Sequence, residues 1–417
     1  MSFGNSQRAV VIGGSMAGLF SALLLRPLGW TVDVYERFSV ELSGRGAGIV
    51  THAELCAALQ ACGLDPTKDL GVAVSGRKTL DAFGKLIATF ACPQVVTSWD
   101  RVFRMLRDAF PADRYHLGRE LQRIEARADS VSVYFADGSR TEADVLIGAD
   151  GFRSSVRAHT LPEVQPEYAG YIAWRGLVDE AAFSPETRCE LFDVLTFCLP
   201  PREQFLGYPV AGPGNDLREG HRRYNFIWYR PATDDQFRDL LTDETGHTHS
   251  LSIPPALVRR DIVESLRGAA RKLLAPQLQR AIELTPQPFL QPIYDVESPR
   301  MAIGRIALVG DAAFVGRPHV AAGVTKAAED ALALATALRH IADVPAALQS
   351  FERARIEVDR SIVDRGRELG LYFRPEWLNA EDLGRAARHH TPDSVMAEIA
   401  ILDFLRTPAH NASPREN

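Results

Sequence analysis

The sequence predicts an α/β protein. We expect a Rossmann-like nucleotide-binding domain with a three-layer, mostly parallel sheet, an inserted, mostly antiparallel β-sheet domain, and C-terminal helices. Three observations carry this prediction. An apolar run at residues 9–12 leads into a glycine turn, a helix and a second strand. Similar strand-to-turn motifs recur at residues 145–151 and 306–311, and aromatic-rich strands with short turns lie between these two.

Length and composition narrow the class of protein. The 417 residues are enough for two joined domains, and the 46% hydrophobic and 24% charged content is typical of globular proteins. A net charge of −6 gives no broad basic face for nucleic acid. No apolar run reaches membrane-spanning length, no signal peptide precedes the first strand, and the five cysteines form no Cys-x-x-Cys pair. We therefore expect a cytoplasmic protein without a metal site.

The first motif is a βαβ unit with a glycine turn. Gly13 permits a tight turn, Gly18 allows close packing of helix and strand, and Glu36 ends the second strand, where it can accept hydrogen bonds from ribose hydroxyls. The middle glycine of the dinucleotide fingerprint is replaced by Ser15, which can still offer an N–H and a hydroxyl to a phosphate. We expect the adenosine half of a nucleotide here.

A glycine-rich loop follows at residues 43–49. Its alternating glycines indicate a backbone that approaches a ligand closely, and Arg45 could reach a phosphate or hold the loop over a cofactor. The alternative is a flexible surface loop. His52 comes directly after this loop, at the start of a helix predicted over residues 51–63.

Two further turns place carboxylates at the ends of buried strands. Asp150 follows the strand at 145–147, where it is placed either as a ligand contact or as a local partner of the backbone in a capped turn. Asp311 follows the strand at 306–309, before a Pro-containing loop and a helix predicted over residues 324–340. The N–H groups and dipole of that helix suit an anionic ligand, although an ordinary turn would look similar.

The remaining segments complete the predicted organisation. We expect strands within 72–90, 115–146, 168–178, 188–199, 204–210, 222–229 and 286–295, and helices at 98–110, 254–284, 346–371 and 381–405, the last broken at Pro392. The predicted domains are a discontinuous nucleotide-binding domain at 1–71, 99–160 and 296–345, a substrate-binding β-sheet domain at 72–98 and 161–295, and a C-terminal helical segment at 346–417.

Aromatic residues are concentrated in the predicted antiparallel sheet. Alternation places Tyr224, Phe226 and Trp228 on one face and Asn225 and Ile227 on the other, so that one face could line a pocket while the other packs in the core.

The three motifs, in this order and spacing, resemble the single-component FAD-dependent aromatic hydroxylases of the para-hydroxybenzoate hydroxylase type. The resemblance covers nearly the whole chain. Within the family, residues 168–176 and 317–323 are most similar to the hydroxylases of dihydroxypyridine.

The resemblance implies an FAD-dependent monooxygenase that hydroxylates an electron-rich ring, a hydroxypyridine or a phenol. It would use NADH or NADPH as a transient co-substrate and O2, through a flavin C4a-hydroperoxide, with FAD held non-covalently. The FAD contacts carried over from the family are Gly13, Ser15, Met16, Gly18, Glu36, Arg37, Arg45, Gly48, Leu121, Asp150, Asp311, Pro318, Ala322 and Gly323. A homodimer is the candidate oligomeric state.

The motifs do not identify the general base that would deprotonate the substrate. His52 and His319 would lie beside the flavin and are candidates for the base or for substrate binding, with His52 slightly favoured as the base. Tyr208, Tyr224 and Trp228 would line the substrate pocket, and the two tyrosines are further catalytic candidates. This chain departs from the family pattern at Trp99, Ala321 and Thr325.

Two alternative functions on the same fold stay open from the sequence. The first is an FAD-dependent dehydrogenase, reductase or halogenase, although no Trp-x-Trp-x-x-Ile segment of a halogenase occurs. The second is a flavin-binding protein without catalysis, which the intact Gly-Asp loop and the aromatic sheet disfavour.

Overall fold

The structure is a computed structural model that describes residues 7–42, 48–374, 376 and 378–405. The described chain folds into two large sheets and two three-stranded sheets, with α-helices packed around them. The strands are β1 (Arg8–Ile12), β2 (Thr31–Tyr35), β3 (Gly48–Val50), β4 (Val72–Val74), β5 (Gly76–Leu80), β6 (Leu86–Phe90), β7 (Gln94–Ser98), β8 (Tyr115–His116), β9 (Leu121–Ala126), β10 (Val131–Phe135), β11 (Arg140–Ala143), β12 (Val145–Gly148), β13 (Glu167–Asp179), β14 (Val194–Cys198), β15 (Gln204–Val210), β16 (Arg223–Pro231), β17 (Phe289–Glu297), β18 (Ala302–Ile303), β19 (Ile306–Leu308) and β20 (Phe314–Val315).

The helices are distributed along the whole described chain. They are α1 (Met16–Leu25), α2 (Ala53–Ala61), α3 (Trp99–Ala109), α4 (Ser155–Thr160), α5 (Pro185–Leu191), α6 (Asp234–Leu240), α7 (Arg260–Leu273), α8 (Pro276–Leu284), α9 (Gly323–His340), α10 (Val344–Gly370), α11 (Ala380–Arg388) and α12 (Pro392–Glu398).

The first large sheet has six strands in the order β18-β19-β12-β1-β2-β8. All its pairings are parallel except that of β18 with β19. Apart from the exposed Arg8 at the start of β1, strands β1, β12 and β19 are apolar and buried, as expected where helices cover both faces of a parallel sheet. Helix α1 is buried on every side because its residues are almost all apolar, and it packs against α9.

The second large sheet has eight strands in the order β20-β17-β13-β16-β15-β14-β5-β6. It is antiparallel apart from the β14–β5 pair. One face packs against α7 and α8. The other, which we call the inner face, carries Tyr171, Tyr208, Asn225 and Tyr229 and packs against the loop before α9 and the C-terminal helices. The mixed α/β class with parallel and antiparallel sheets is as predicted.

The two three-stranded sheets have the orders β11-β10-β9 and β3-β7-β4. In the described part of the chain, no helix combines the length and apolar character needed to cross a membrane.

One predicted strand was wrong in its first part. Residues 188–199 were expected to be extended, but the first four belong to α5 and only β14 is a strand. The reason lies just upstream, because Ser184 caps the helix by accepting a hydrogen bond from the Thr187 N–H, and Pro185 occupies the first helical position. The break predicted at Pro392 is confirmed, since α11 ends before it and α12 begins at it.

Candidate functional site

The turn between β1 and α1 has no room for side chains at its glycines. Gly13 has a φ of 108°, and a Cβ on it would lie 2.3 Å from the carbonyl oxygen of Ala149. A Cβ on Gly18 would lie 1.9 Å from the carbonyl oxygen of Gly13. Gly18 therefore serves the packing of helix on strand, and Gly13 brings this turn against the second motif.

Glu36, at the end of β2, is held on the backbone of this turn. Its Oε2 accepts a hydrogen bond from the Gly14 N–H (2.9 Å), and its Oε1 accepts one from the Phe38 N–H (3.1 Å). The side chain is buried and lines the cavity described below. This fixes the carboxylate at the place where the fingerprint requires an acceptor for ribose hydroxyls.

Asp150, which follows β12, both caps a local turn and faces the ligand cavity, the two alternatives that the sequence left open. It accepts hydrogen bonds from Ser154 Oγ (2.5 Å) and from the N–H groups of Ser155 (2.6 Å) and Val156 (3.2 Å), so it caps α4. It also lines the cavity. Burial raises its pKa despite these bonds.

Asp330 on α9 holds the turn between β19 and α9, because its Oδ2 accepts a hydrogen bond from the Gly310 N–H (2.9 Å). The next residue, Asp311, is open to the cavity, yet the surrounding protein removes enough water to raise its pKa. Arg157 joins the second and third motifs, because its Nη1 donates to the carbonyl oxygen of Ala312 (2.9 Å).

These three turns converge on one cavity of about 410 Å³. Of the predicted contacts, the cavity is lined by Gly13, Ser15, Met16, Glu36, Arg37, Leu121, Asp150, Asp311 and Gly323. Gly18, Gly48, Pro318 and Ala322 are not among its lining residues, and Arg45 lies outside the described residues. Arg119 and Glu120 also line the cavity and were not predicted from the sequence. The one feature that could have pointed to them is their position directly before Leu121.

The helix ends at this cavity fit a dinucleotide with a flavin. Among the described residues, no side chain caps the N-terminus of α1 or of α9, and neither helix has an acidic residue in its first turn. Free N–H groups at two helix N-termini favour a pyrophosphate at one end and electron-rich carbonyl and nitrogen groups at the other. The residues present therefore fit FAD.

His52, at the start of α2, is half-buried beside the first turn of α9. Its Nδ1 lies 3.1 Å from Thr325 Oγ1, and its Nε2 lies 3.4 Å from the carbonyl oxygen of Ala400. Since a carbonyl only accepts, Nε2 carries the proton and Nδ1 is the basic nitrogen. The departure from the family pattern at Thr325 thus provides a hydroxyl partner for His52.

His319 is fully buried against the inner face of the eight-stranded sheet. Its Nε2 lies 2.8 Å from Tyr171 Oη, and its ring contacts those of Tyr229 (centroids 4.1 Å apart) and Phe373 (5.2 Å). Burial, with the charge of Arg317 as a second cause, holds the pKa of His319 well below its usual value. The ring is therefore neutral at physiological pH.

The segment after α12 joins the two histidines. The N–H of Ala400 donates to the carbonyl oxygen of His319 (3.0 Å), while the carbonyl of Ala400 accepts from His52. Arg77 holds this segment on the sheet, because its Nη1 donates to the carbonyl oxygens of Met396 (2.7 Å) and Ile399 (2.6 Å). Sequence reasoning gave no signal for this role of the C-terminal residues.

The structure separates the three predicted aromatic residues of the sheet. Tyr208 lies on the inner face, opposite Asn225, and burial raises its pKa to about 12. Gly48 closely approaches Tyr208, since a Cβ on it would lie 2.4 Å from the tyrosine ring. Tyr224 and Trp228 lie on the other face, in the core formed with α7 and α8, away from the face that contacts His319.

Within the described ranges, no group of three or more His, Cys, Asp or Glu side chains is arranged to hold a metal ion.

Comparison with known proteins gives consistent relatives. A family model described as FAD binding domain-like matches residues 168–295. The chain is 32% identical over 371 residues to a 2,6-dihydroxypyridine 3-monooxygenase of Paenarthrobacter nicotinovorans, covering 87% of this chain and 91% of the relative. A 6-hydroxynicotinate 3-monooxygenase of Bordetella bronchiseptica is 26% identical, covering 90% and 95%.

Among solved structures, the 2,6-dihydroxypyridine-3-hydroxylase from Arthrobacter nicotinovorans is similar in fold. It superposes with a TM-score of 0.81 at 31% identity, and the match covers 87% of this chain and 91% of the other.

Proposed function

This chain belongs to the FAD-dependent aromatic hydroxylases, and on that premise we propose that it hydroxylates a small ring of the hydroxypyridine type, using NAD(P)H and O2. The observation that carries the proposal is the convergence of the three turns on one cavity at the N-terminus of α9, the helix whose Thr325 hydroxyl contacts His52. The named relatives act on hydroxylated pyridine rings, which favours a pyridine over a plain phenol.

The residues would divide the binding of FAD between them. The N-terminus of α1 with Ser15 would hold the pyrophosphate, and Glu36 the ribose of the adenosine half. Asp311 would bond the ribityl chain, and the N-terminus of α9 at Gly323 would donate to the flavin ring edge. The chemistry that bound FAD supplies is two-electron reduction by NAD(P)H followed by activation of O2.

His52 would be the general base for the substrate hydroxyl. Its Nδ1 has the lone pair and faces Thr325 Oγ1 at 3.1 Å, so a proton could pass from the substrate to His52 directly or through that hydroxyl. Removing the hydroxyl proton makes the ring carbon more nucleophilic. The inner face with Tyr208 and His319 would hold the ring, whereas Tyr224 and Trp228 would contribute to the core.

The predicted domain boundaries belong to the same proposal. The six-stranded sheet would bind FAD and the eight-stranded sheet would bind substrate, while the described part of the C-terminal segment, residues 346–374 and 378–405, packs against the inner face. This division is supported by the origin of the lining residues. The three turns at the cavity follow strands of the six-stranded sheet, whereas the inner face belongs to the eight-stranded sheet.

The proposal is tested by NADH and NADPH oxidation with O2 uptake, measured in the presence of 2,6-dihydroxypyridine, 6-hydroxynicotinate and 4-hydroxybenzoate. We expect a hydroxypyridine to stimulate consumption and to give one hydroxylated product per nicotinamide oxidised. Oxidation without O2 uptake would identify a dehydrogenase or reductase instead, and absence of any stimulation across the panel would refute the proposed substrate class.

Two variants test the base. His52→Ala should lower the rate of oxygen transfer by roughly 10²–10⁴-fold while flavin reduction continues, so that less product is formed per NAD(P)H consumed. The matched control is His159→Ala, an exposed histidine on α4 bonded to backbone carbonyls. If His52→Ala couples as well as the control across pH 6 to 9, roughly the range that brackets histidine titration, His52 is not the base.

A further inference from the structure

Four buried side chains form a continuous hydrogen-bonded and ionic series that ends at His319. Arg317 makes a two-pronged salt bridge to Asp295 (2.9 and 2.7 Å), and its guanidinium carbon lies 5.5 Å from the centre of the Tyr171 ring. The Tyr171 hydroxyl interacts with Arg317 and lies 2.8 Å from His319 Nε2. All four side chains are at most 8% exposed.

The order of donors and acceptors in this series is fixed by chemistry. A guanidinium has only N–H donors, so Arg317 cannot accept the proton of the Tyr171 hydroxyl. Burial raises the pKa of Tyr171 to about 12, so the hydroxyl keeps that proton at neutral pH. Among the described residues, His319 Nε2 is the acceptor in reach of it. Tyr171 therefore donates to Nε2.

It follows that the proton of the neutral His319 ring sits on Nδ1. This Nδ1 is buried and, within the described chain, has no hydrogen-bond partner. The neighbouring Tyr229 hydroxyl is also fully buried and has none there. The rings of His319 and Tyr229, with centroids 4.1 Å apart, thus each have a donor hydrogen without an acceptor at the inner face, on Nδ1 and on the hydroxyl. Buried donors in this condition require an acceptor.

We propose that His319 is a hydrogen-bond donor, through Nδ1–H, to the oxygen anion of a hydroxylated substrate ring, and that Tyr171 is the positioning residue that sets this tautomer. The inference rests on the proposed function and deepens it. His52 removes the hydroxyl proton, and His319 with Tyr229 stabilises the negative oxygen that results. The site therefore selects rings that bear an ionisable hydroxyl over rings that bear an amine or an ether at that position.

The assignment excludes His319 from the role of base, which gives a sharp test. In His319→Asn, the amide nitrogen occupies the place of Nδ1 and can donate, but an amide cannot take a proton. In His319→Leu neither function remains. With 2,6-dihydroxypyridine as the probe, we expect His319→Leu to lower the hydroxylation rate by roughly 10²–10³-fold, as when an oxyanion donor is lost. We expect His319→Asn to stay within about tenfold of the parent. Equal losses in the two variants, at equal FAD content, would overturn the proposal.

A second measurement needs no substrate. Nitrogen-15 NMR of histidine-labelled holoenzyme distinguishes Nδ1–H from Nε2–H rings, and the resonance of His319 is identified by its loss in His319→Asn. We expect a neutral Nδ1–H ring between pH 6 and 9, and a change toward Nε2–H in Tyr171→Phe. Tyr168→Phe is the matched control, because its hydroxyl, on the same strand, bonds the carbonyl of Ala232 instead.

The outcomes separate this inference from the proposed function. An Nε2–H ring in the parent overturns the inference whatever the substrate is. If 2,6-dihydroxypyridine and the other hydroxypyridines give no turnover while the Nδ1–H ring is observed, the substrate class is wrong and the assigned tautomer stands.

Discussion

Replacing Lys326 by methionine should destabilise the protein through the charges that it leaves behind. Lys326 is completely buried, and its ammonium group contacts Asp330 Oδ2 (3.2 Å), Asp359 Oδ2 (3.2 Å) and the carbonyl oxygen of Gly310 (2.8 Å). Those three acceptors use all three protons of the ammonium group. Breaking a buried ion pair from one side costs about 3–5 kcal/mol of unfolding free energy.

Lys326 and Arg355 form a buried charge cluster with Asp330 and Asp359. Two features of this cluster place the expected cost at the lower end of that range. Arg355 keeps its contacts to both carboxylates (2.8 and 2.9 Å), and Asp359 can take up a proton, since burial raises its pKa to about 7. We therefore expect a loss of about 3 kcal/mol at pH 8. For 417 residues, roughly 1 °C of melting temperature corresponds to each kcal/mol, so the midpoint should fall by about 3 °C.

The pH dependence supplies the critical test of this cluster. The folded-state pKa of Asp359 lies above its unfolded value, so its contribution is greatest at low pH and is lost as the pH rises through about 7. Without Lys326 this pKa rises further, and the deficit of the variant should shrink between pH 8 and pH 6. Thermal unfolding of Lys326→Met, Asp359→Asn and the double variant measures this. A single-variant loss below about 1 kcal/mol, or no rescue by Asp359→Asn, would refute the reasoning.

Other features of the structure lead to smaller experiments. Asp311→Ala should weaken FAD binding by roughly 10- to 100-fold because a charged acceptor is lost, and Glu36→Ala should do so more mildly; flavin per protein after gel filtration measures both. Acid precipitation should leave the flavin in the supernatant, and a yellow pellet would indicate a covalent link. His389→Gln should lower the melting temperature at pH 7 but not at pH 10, since two glutamates raise the pKa of His389 to about 9 and that stabilisation is lost as the pH rises through this value. Ala321→Gly should leave stability unchanged or raise it by up to about 1 kcal/mol, because Ala321 has a φ of 52°, and a clear loss in thermal unfolding would count against this.

The fold was predictable wherever a local pattern determined it. The apolar runs of β1, β12 and β19, each followed by a glycine turn, predicted a parallel sheet and brought Gly13, Asp150 and Asp311 to one edge. The false strand at residue 188 came from reading apolar content without the Ser184-Pro185 cap.

The site was less predictable where distant segments meet. Alternation correctly divided β16 into two faces, but it could not tell which face α7 and α8 would cover, so Tyr224 and Trp228 were placed in the pocket and Tyr229 was not named. The contacts of His52 with Ala400 and of His319 with Tyr171 join residues 348 and 148 positions apart, and no single-sequence pattern contains such pairings.

The order of strands in the six-stranded sheet has a consequence for biosynthesis. β12 pairs on one side with β1 and on the other with β19, which follows it by roughly 160 residues, and the intervening chain contributes β13 to β17 to the other large sheet. The cavity lining extends to Ala327, roughly 180 residues beyond β12, so a ribosome adding about 5–20 residues per second needs roughly 9–36 s after β12 before the cavity can close. During that interval the free edge of β12 is exposed to misassembly. Flavin can engage the complete cavity only after the first turns of α9 have been made, and its supply then shifts the balance toward the folded protein.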